Sequence, residues 1–308
     1  MKPKQYTVSV GIPAYNEEAN IEQLLSCLLN QTQSHVIIKK IIVSSDGSTD
    51  NTVAIVKRMA KMNKKIRYIA NKDRLGVAVC ENQILNYVKS DAFVLMNADV
   101  LPKNNMTIQE LVTPLVSGRV DMTTPENEPL RPQTFFEKIL FASAKFKYDA
   151  YNNYHKGNNI YTCRGTMRCF SRRLYQNLSF TQSVDEDAYT YFACRKLHFT
   201  YKFINRAVIY FKLPDNLKDH ERQSLRFMQP KVCLNKIFGP EIVKKGYYIP
   251  TGVLFRSFVK FFPHYPVELT FYPWLALSMK IKSILKKPST ETWDIAVSSK
   301  TLTVPSKP

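Results

Sequence analysis

Along the first 116 residues the apolar positions alternate between two rhythms. Runs at 7–12, 39–44, 66–70 and 92–96 read as strands. Between and after them, 17–30, 50–62, 77–88 and a stretch from about 106 to 116 read as helices; in the first, Ile21, Leu24, Leu25, Leu28 and Leu29 fall on one face at helical spacing. Strands alternating with helices predict an α/β fold with a mostly parallel sheet covered by helices on both faces.

The rhythm changes after Pro125. Residues 126–132 are polar and proline-punctuated, and 135–151 predict an aromatic, lysine-bearing helix. Short strands are expected at 161–163 and 167–170, a helix at 186–197 and a β-rich run at 199–211. Beyond Pro230 the chain turns basic and aromatic, and its last twenty residues, rich in Ser, Thr, Lys and Pro, predict a loose tail. This gives three segments: an α/β half at 1–125, a second half of the same domain at 126–230, and a C-terminal helical, aromatic extension at 231–308. No internal repeat is found.

The 308 residues are 44% hydrophobic, enough for one large core with an appendage. With 44 Lys and Arg against 25 Asp and Glu the net charge is +19, which favours an anionic partner without choosing among nucleic acid, phosphate-bearing substrates and acidic lipid. The six cysteines show no CxxC spacing and no secretory signal opens the chain, so a reduced, cytoplasmic setting is expected. The five histidines have no metal-ligand spacing. The stretch 260–280 approaches spanning length but holds His264, Glu268 and three prolines, a poor transmembrane helix. Its aromatic residues between flanking lysines fit either packing on the main domain or a segment at a bilayer surface, with 250–287 the expected peripheral contact at the inner membrane face.

Candidate chemistry gathers just after the predicted strands, where a parallel sheet brings distant residues to one edge. Pro13-Ala14-Tyr15-Asn16-Glu17 joins the first strand to the first helix, with Asn16 a candidate helix N-cap. In Asp46-Gly47-Ser48-Thr49-Asp50, Gly47 permits a tight turn, Ser48 or Thr49 can cap the next helix, and Asp46 is left to accept from a base N–H or ribose hydroxyls. Asn97-Ala98-Asp99 follows an apolar run, and in extended chain its two oxygen-bearing side chains point the same way, towards one hard cation such as Mg²⁺ or Mn²⁺. Asp185-Glu186-Asp187 opens a predicted helix, as either a cap or a base, since mutual repulsion among three adjacent acids raises one pKa.

In this order the elements resemble those of the inverting family 2 glycosyltransferases of GT-A fold. Residues 13–17 resemble the family's P-x-Y-N-E, Asp46-Gly47-Ser48 its D-G-S turn, and Asn97-Ala98-Asp99 its D-x-D motif. Arg74-x-Gly76 followed by Asn82 is similar to its R-x-G then N pattern. Arg164-Gly165-Thr166, with Arg172-Arg173 nearby, resembles the glycine-containing acceptor-side segment; Glu186-Asp187 resembles the E-D pair, and Gln223-x-x-Arg226-Phe227 the Q-x-x-R-W motif of processive members. Two departures stand out: Asn97 replaces the first acid of D-x-D and lowers the charge available to a cation, and Phe227 replaces Trp.

The resemblance implies a nucleotide-sugar donor, most often UDP-linked, and a carbohydrate or glycolipid acceptor. Asp46 would contact base or ribose, Asp99 the metal and Asp187 the acceptor hydroxyl. Pro13, Tyr15, Asn16, Glu17, Arg74, Asn97, Gln223 and Arg226 would complete the donor site, with Glu186 beside the base; Asp185 and Glu186 compete with Asp187 for that role. Inverting displacement follows, in polysaccharide or glycolipid synthesis. A catalytically silent sugar-binding or partner-binding subunit stays open because of Asn97. Nucleotidyltransferase and dinucleotide oxidoreductase readings lack their glycine-rich loops, and nucleic acid is not an expected partner because no recognition motif accompanies the charge.

Overall fold

The computed structural model describes residues 4–181, 185–228, 231–285 and 297–302. Strand β1 (Tyr6–Ala14) pairs in parallel with β2 (Val36–Ser45) on one side and β4 (Ala92–Met96) on the other, and β2 pairs in parallel with β3 (Ile66–Ala70). Helices α1 (Ile21–Leu29), α2 (Thr52–Met62) and α3 (Val77–Leu85) make the crossovers. Val8, Val10, Ile12, Val94 and Leu95 are at most 1% exposed, as expected for central strands covered on both faces. Gly11 lets α3 approach β1: a Cβ there would lie 2.5 Å from Ile84 Cγ2 and 2.9 Å from Phe93 Cε2.

After β4 come β5 (Val100–Pro102), α4 (Thr107–Val116) and β6 (Met122–Pro129). Following α5 (Phe135–Asn153), the chain returns as β7 (Met167–Ser171), α6 (Arg172–Tyr175), α7 (Glu186–Lys196) and β8 (Tyr201–Phe211). The sheet order is β3-β2-β1-β4-β7-β6-β8-β5, with β7 antiparallel to both β4 and β6. Because Met96 pairs with Met167, the beginning of β7 lies at the carboxyl end of β4.

The chain forms two compact units, 1–128 with 163–210, and 129–162 with 211–308, so the segment expected at 126–230 is shared between them. The second unit is helical: α5, α8 (Leu217–Phe227), α9 (Val232–Phe238), α10 (Pro240–Gly246), α11 (Thr251–Phe261) and α12 (Pro266–Leu285). A capping box between Thr134 and Glu137 starts α5. Ala142 and Phe146 of α5 bury Leu269 of α12, with Phe258, Phe261, Tyr265 and Tyr272 packed around them. Ser257 Oγ and Lys260 Nζ bind the Asp149 carboxylate at 2.7 and 2.5 Å.

Several expectations are corrected. Helix α1 begins at Ile21 and not at Glu17, whose carbonyl accepts the N–H groups of Asn20 and Ile21 in a turn before the helix. Residues 160–162 form a 3₁₀ turn in place of a strand, because Asn159 Oδ1 accepts the Tyr161 N–H at 3.0 Å and folds the backbone locally. Conversely, the polar segment 126–129 is part of β6, which lies between β7 and β8 in the sheet. The expected tail falls mostly outside the described residues; within it, Val297–Lys300 forms a 3₁₀ turn.

One pair of charges lies inside the first unit. Arg168 of β7 and Glu81 of α3 are each 2% exposed at the side chain and meet at 2.9 Å. Arg168→Met alone strands the Glu81 charge and is expected to cost about 3–5 kcal/mol. Glu81→Leu/Arg168→Met together should recover most of that loss, as read from denaturant unfolding midpoints.

Candidate active site

The turns after β1 and β2 are stitched to each other. Asn16 adopts φ +50°, a conformation asparagine tolerates, and its Oδ1 accepts the Thr49 N–H at 2.9 Å while its own N–H donates to Ser48 Oγ at 3.1 Å. Asn16 is therefore not the N-cap of α1. Ser48 and Thr49 face Asn16 and do not cap α2; Asp50 Oδ1 accepts the Thr52 N–H at 3.0 Å at the start of that helix. Glu17 is buried, its N–H donating to Thr52 Oγ1 at 2.7 Å and its Oε2 accepting from Asn20 Nδ2 at 3.0 Å. Pro13 lies opposite Ser44, one residue before the last pair of β1, Ala14 with Ser45.

Asp46 reaches the next loop. Its Oδ1 accepts the N–H groups of Leu75 and Gly76 at 2.6 and 3.0 Å. Gly47, at φ +67°, leaves room for that loop, since a Cβ would lie 2.7 Å from the Asp73 carbonyl carbon. The latched loop carries Arg74, whose guanidinium lies over the Tyr15 ring at 4.3 Å. Tyr15, Asp46 and Arg74 thus form one cluster at the ends of β1 and β2.

The second cluster forms at the end of β4. Asn97 N–H donates to Thr166 O at 3.0 Å, Gly165 N–H donates to Asp187 Oδ2 at 3.2 Å, and Ala188 N–H donates to Asp187 Oδ1 at 2.7 Å. The first two of these, through the adjacent residues Thr166 and Gly165, join the D-x-D-like segment to the acid on the first turn of α7. Asn97 and Asp99 are half-buried and Ala98 is buried, but the chain turns at 98–99 and is not extended there as expected. Among the described residues no three His, Cys, Asp or Glu side chains gather to hold a metal by themselves. Asp99 with Asn97 is a sparse, hard-oxygen donor set that fits Mg²⁺ or Mn²⁺ only when water and phosphate complete the shell.

Beneath Asp187 lies the Arg168–Glu81 pair. Arg168 Nη1 is 3.5 Å from Thr190 Oγ1, which donates to Asp187 O at 2.9 Å. Glu81 Oε2, Arg168 Nε and Glu186 Oε1 are all buried without a hydrogen-bond partner among the described residues. One guanidinium thus faces three carboxyl groups, Glu81, Glu186 and Asp187. Burial first, and the Glu81 carboxylate second, push Glu186 up to about 8. Glu81 is also raised, by burial, with the guanidinium in direct contact opposing the shift.

Asn82, one turn along α3, holds the chain before α7: its amide donates to Phe180 O at 2.8 Å and accepts Phe180 N–H at 3.0 Å. Arg172 and Arg173 are committed elsewhere, Arg172 to Lys89 O at 2.7 Å and Arg173 to the buried Asp121. Gln223 and Arg226 lie on α8 in the second unit, Gln223 Nε2 3.4 Å from Ser299 Oγ and the Arg226 guanidinium over Phe227 at 5.1 Å. Phe227 is 56% exposed. Sequence reasoning missed Glu81, Arg168 and Asn127, whose Nδ2 donates to Thr166 Oγ1 at 2.7 Å. The signal for the first two was a lone charge inside an apolar helix face and an apolar strand.

A sequence model described as glycosyl transferase family 2 matches residues 9–179. The chain is 37% identical over 106 residues to an uncharacterized glycosyltransferase of Haemophilus influenzae, covering 34% of this chain and 32% of that protein. It is 34% identical over 82 residues to the chondroitin synthase of Pasteurella multocida, covering 27% of this chain and 8% of that one. The matched region thus spans a third or less of these curated relatives. Among solved structures, the mannosyltransferase PcManGT from Pyrobaculum calidifontis, in complex with GDP-Man and Mn²⁺, aligns over 93% of this chain and 78% of that chain with TM-score 0.58 at 16% identity. S. aureus TarS in complex with UDP-GlcNAc aligns over 90% and 89% with TM-score 0.52 at 15% identity. The likeness to these structures is one of fold, the GT-A arrangement. Since the sequence match runs from β1 past β7 over more than half of the chain, the protein belongs to glycosyl transferase family 2.

Proposed function

We propose that the protein moves a sugar from a nucleotide-diphosphate sugar, UDP-linked, to a hydroxyl of a carbohydrate or glycolipid acceptor with inversion at the anomeric carbon, in polysaccharide or glycolipid synthesis. The observation that supports this reading is the run of contacts from Asn97 through Thr166 and Gly165 to Asp187, which joins the segment carrying Asn97 and Asp99 to the loop that holds the Asp187 carboxylate. In this reading Tyr15, Arg74 and Asp46 receive the base and ribose, while Pro13, Asn16 and Glu17 shape the turn beneath them. Gln223 and Arg226 serve the diphosphate. Asp99, with Asn97, holds the Mg²⁺ or Mn²⁺ that offsets the charge of the leaving diphosphate when bound. The protein works at the inner membrane face, in peripheral contact through 250–287.

Asp187 takes the acceptor proton. Two backbone N–H groups orient its carboxylate, Gly165 on Oδ2 and Ala188 on Oδ1. Burial pushes Glu186 up to about 8, which favours its neutral form, and this reading therefore takes Asp187 over Glu186 as the base. Arg168 offsets the carboxylate charge from below, and attack on the anomeric carbon opposite the departing diphosphate gives inversion.

A nucleotide-sugar panel assayed for diphosphate release, with Mn²⁺ or Mg²⁺ and an acceptor, tests the reading. Release with at least one donor is expected; nucleotide binding without turnover across the panel would instead favour a silent binding subunit. Asp187→Asn should keep donor affinity and lose roughly 10²–10⁴-fold in turnover; near-wild-type turnover removes Asp187 from the base role. Glu186 gives a second prediction. Its folded pKa lies above the ordinary carboxyl value, so the folded state binds the extra proton and loses stability as pH rises towards about 8. Glu186→Gln, a mimic of the protonated acid, should flatten that decline in melting temperature between mildly acidic and mildly alkaline buffers.

A further inference from the structure

Helix α12 has its apolar side outward. Leu269 and Met279 are 0% and 1% exposed and face the protein, with Leu269 packed on α5. On the other side Val267, Phe271, Trp274, Leu277, Ile281 and Ile284 are each 49–75% exposed. At helical spacing they fall in one arc of about 140° along a helix about 30 Å long; Thr270 and Ser278, also in that arc, turn their hydroxyls to the helix's own carbonyls of Pro266 and Leu275. Ordinary surfaces scatter single apolar residues, whereas a continuous stripe of this length marks an interaction site.

We infer that this face of α12 lies in the headgroup region of an anionic membrane, which deepens the peripheral contact in the functional reading by naming the residues and the lipid charge. Charge complementarity selects the occupant. Between 240 and 285 there are six Lys and Arg against two acids, on a chain of net charge +19; two of the six, Lys260 and Lys282, pair with Asp149 and Glu221. Lys280 borders the stripe and Arg256 is exposed on α11. A second copy would set cation against cation, whereas acidic lipid offers the opposite sign. Phe271 and Trp274 suit the interface, where aromatic rings lodge at headgroup depth. No described helix is long and apolar enough to cross a bilayer, so α12 lies on the surface.

The chain has two tryptophans, so W293F leaves Trp274 as the single fluorophore. With phosphatidylcholine–phosphatidylglycerol vesicles, its emission should shift to the blue and the protein should co-sediment; pure phosphatidylcholine or high salt should weaken both. F271E/I281E should lower vesicle partitioning roughly a hundredfold, with turnover on a soluble acceptor unchanged. Partitioning that ignores these substitutions, or no shift on anionic vesicles, overturns the inference. A concentration-dependent dimer that F271E/I281E dissociates would also overturn it and assign the face to a second copy. Vesicle binding is read without any sugar donor, so the inference and the transferase reading fail separately.

Discussion

The antiparallel pairing of β7 with β4 is the constraint on which the site depends. The parallel strands bring only the turns after β1, β2, β3 and β4 to one edge. The acids at 185–187 arrive from another 86 residues or more along the chain, and they reach that edge because Met167 pairs with Met96 and Arg168 with Leu95. The register fixes Thr166 against Asn97 and puts Gly165 within hydrogen-bond distance of Asp187. A slip of one residue would also turn Arg168 away from Glu81, so the ladder and the buried charges enforce each other.

That buried charge explains how adjacent acids come to differ. Asp187 is held by two backbone N–H groups, whereas Glu186 points an oxygen into a space with no donor among the described residues. Desolvation without compensation favours the neutral acid, and hydrogen bonding favours the carboxylate. Arg168 interacts with three carboxyl groups, more negative charge than one guanidinium offsets, which favours proton retention in the cluster. Environment thus sets two neighbouring acids apart.

The second unit obeys a different logic. Its helices bury an aromatic seam around Phe146 and Leu269 while α12 leaves its other apolar side in solvent. Folding alone gives no reason for that second stripe, since the seam already satisfies the packing of α12 on α5.

The sequence by itself determined the α/β alternation and the place of each chemical turn. Strand and helix periods are local properties, and Gly47, Asn97, Asp99 and the 185–187 acids stand at the ends of strongly patterned elements. It also showed the aromatic, basic character of the C-terminal region. What Asn16 and Asp46 bind was decided only in three dimensions: the one stitches two turns together and the other latches the Arg74 loop, contacts that bridge about thirty residues. The turn at 160–162, the strand at 126–129 and the burial that raises the pKa of Glu186 were decided there too. Each depends on which groups the fold carries out of water together, and desolvation is a property of the assembled neighbourhood that local pattern does not encode.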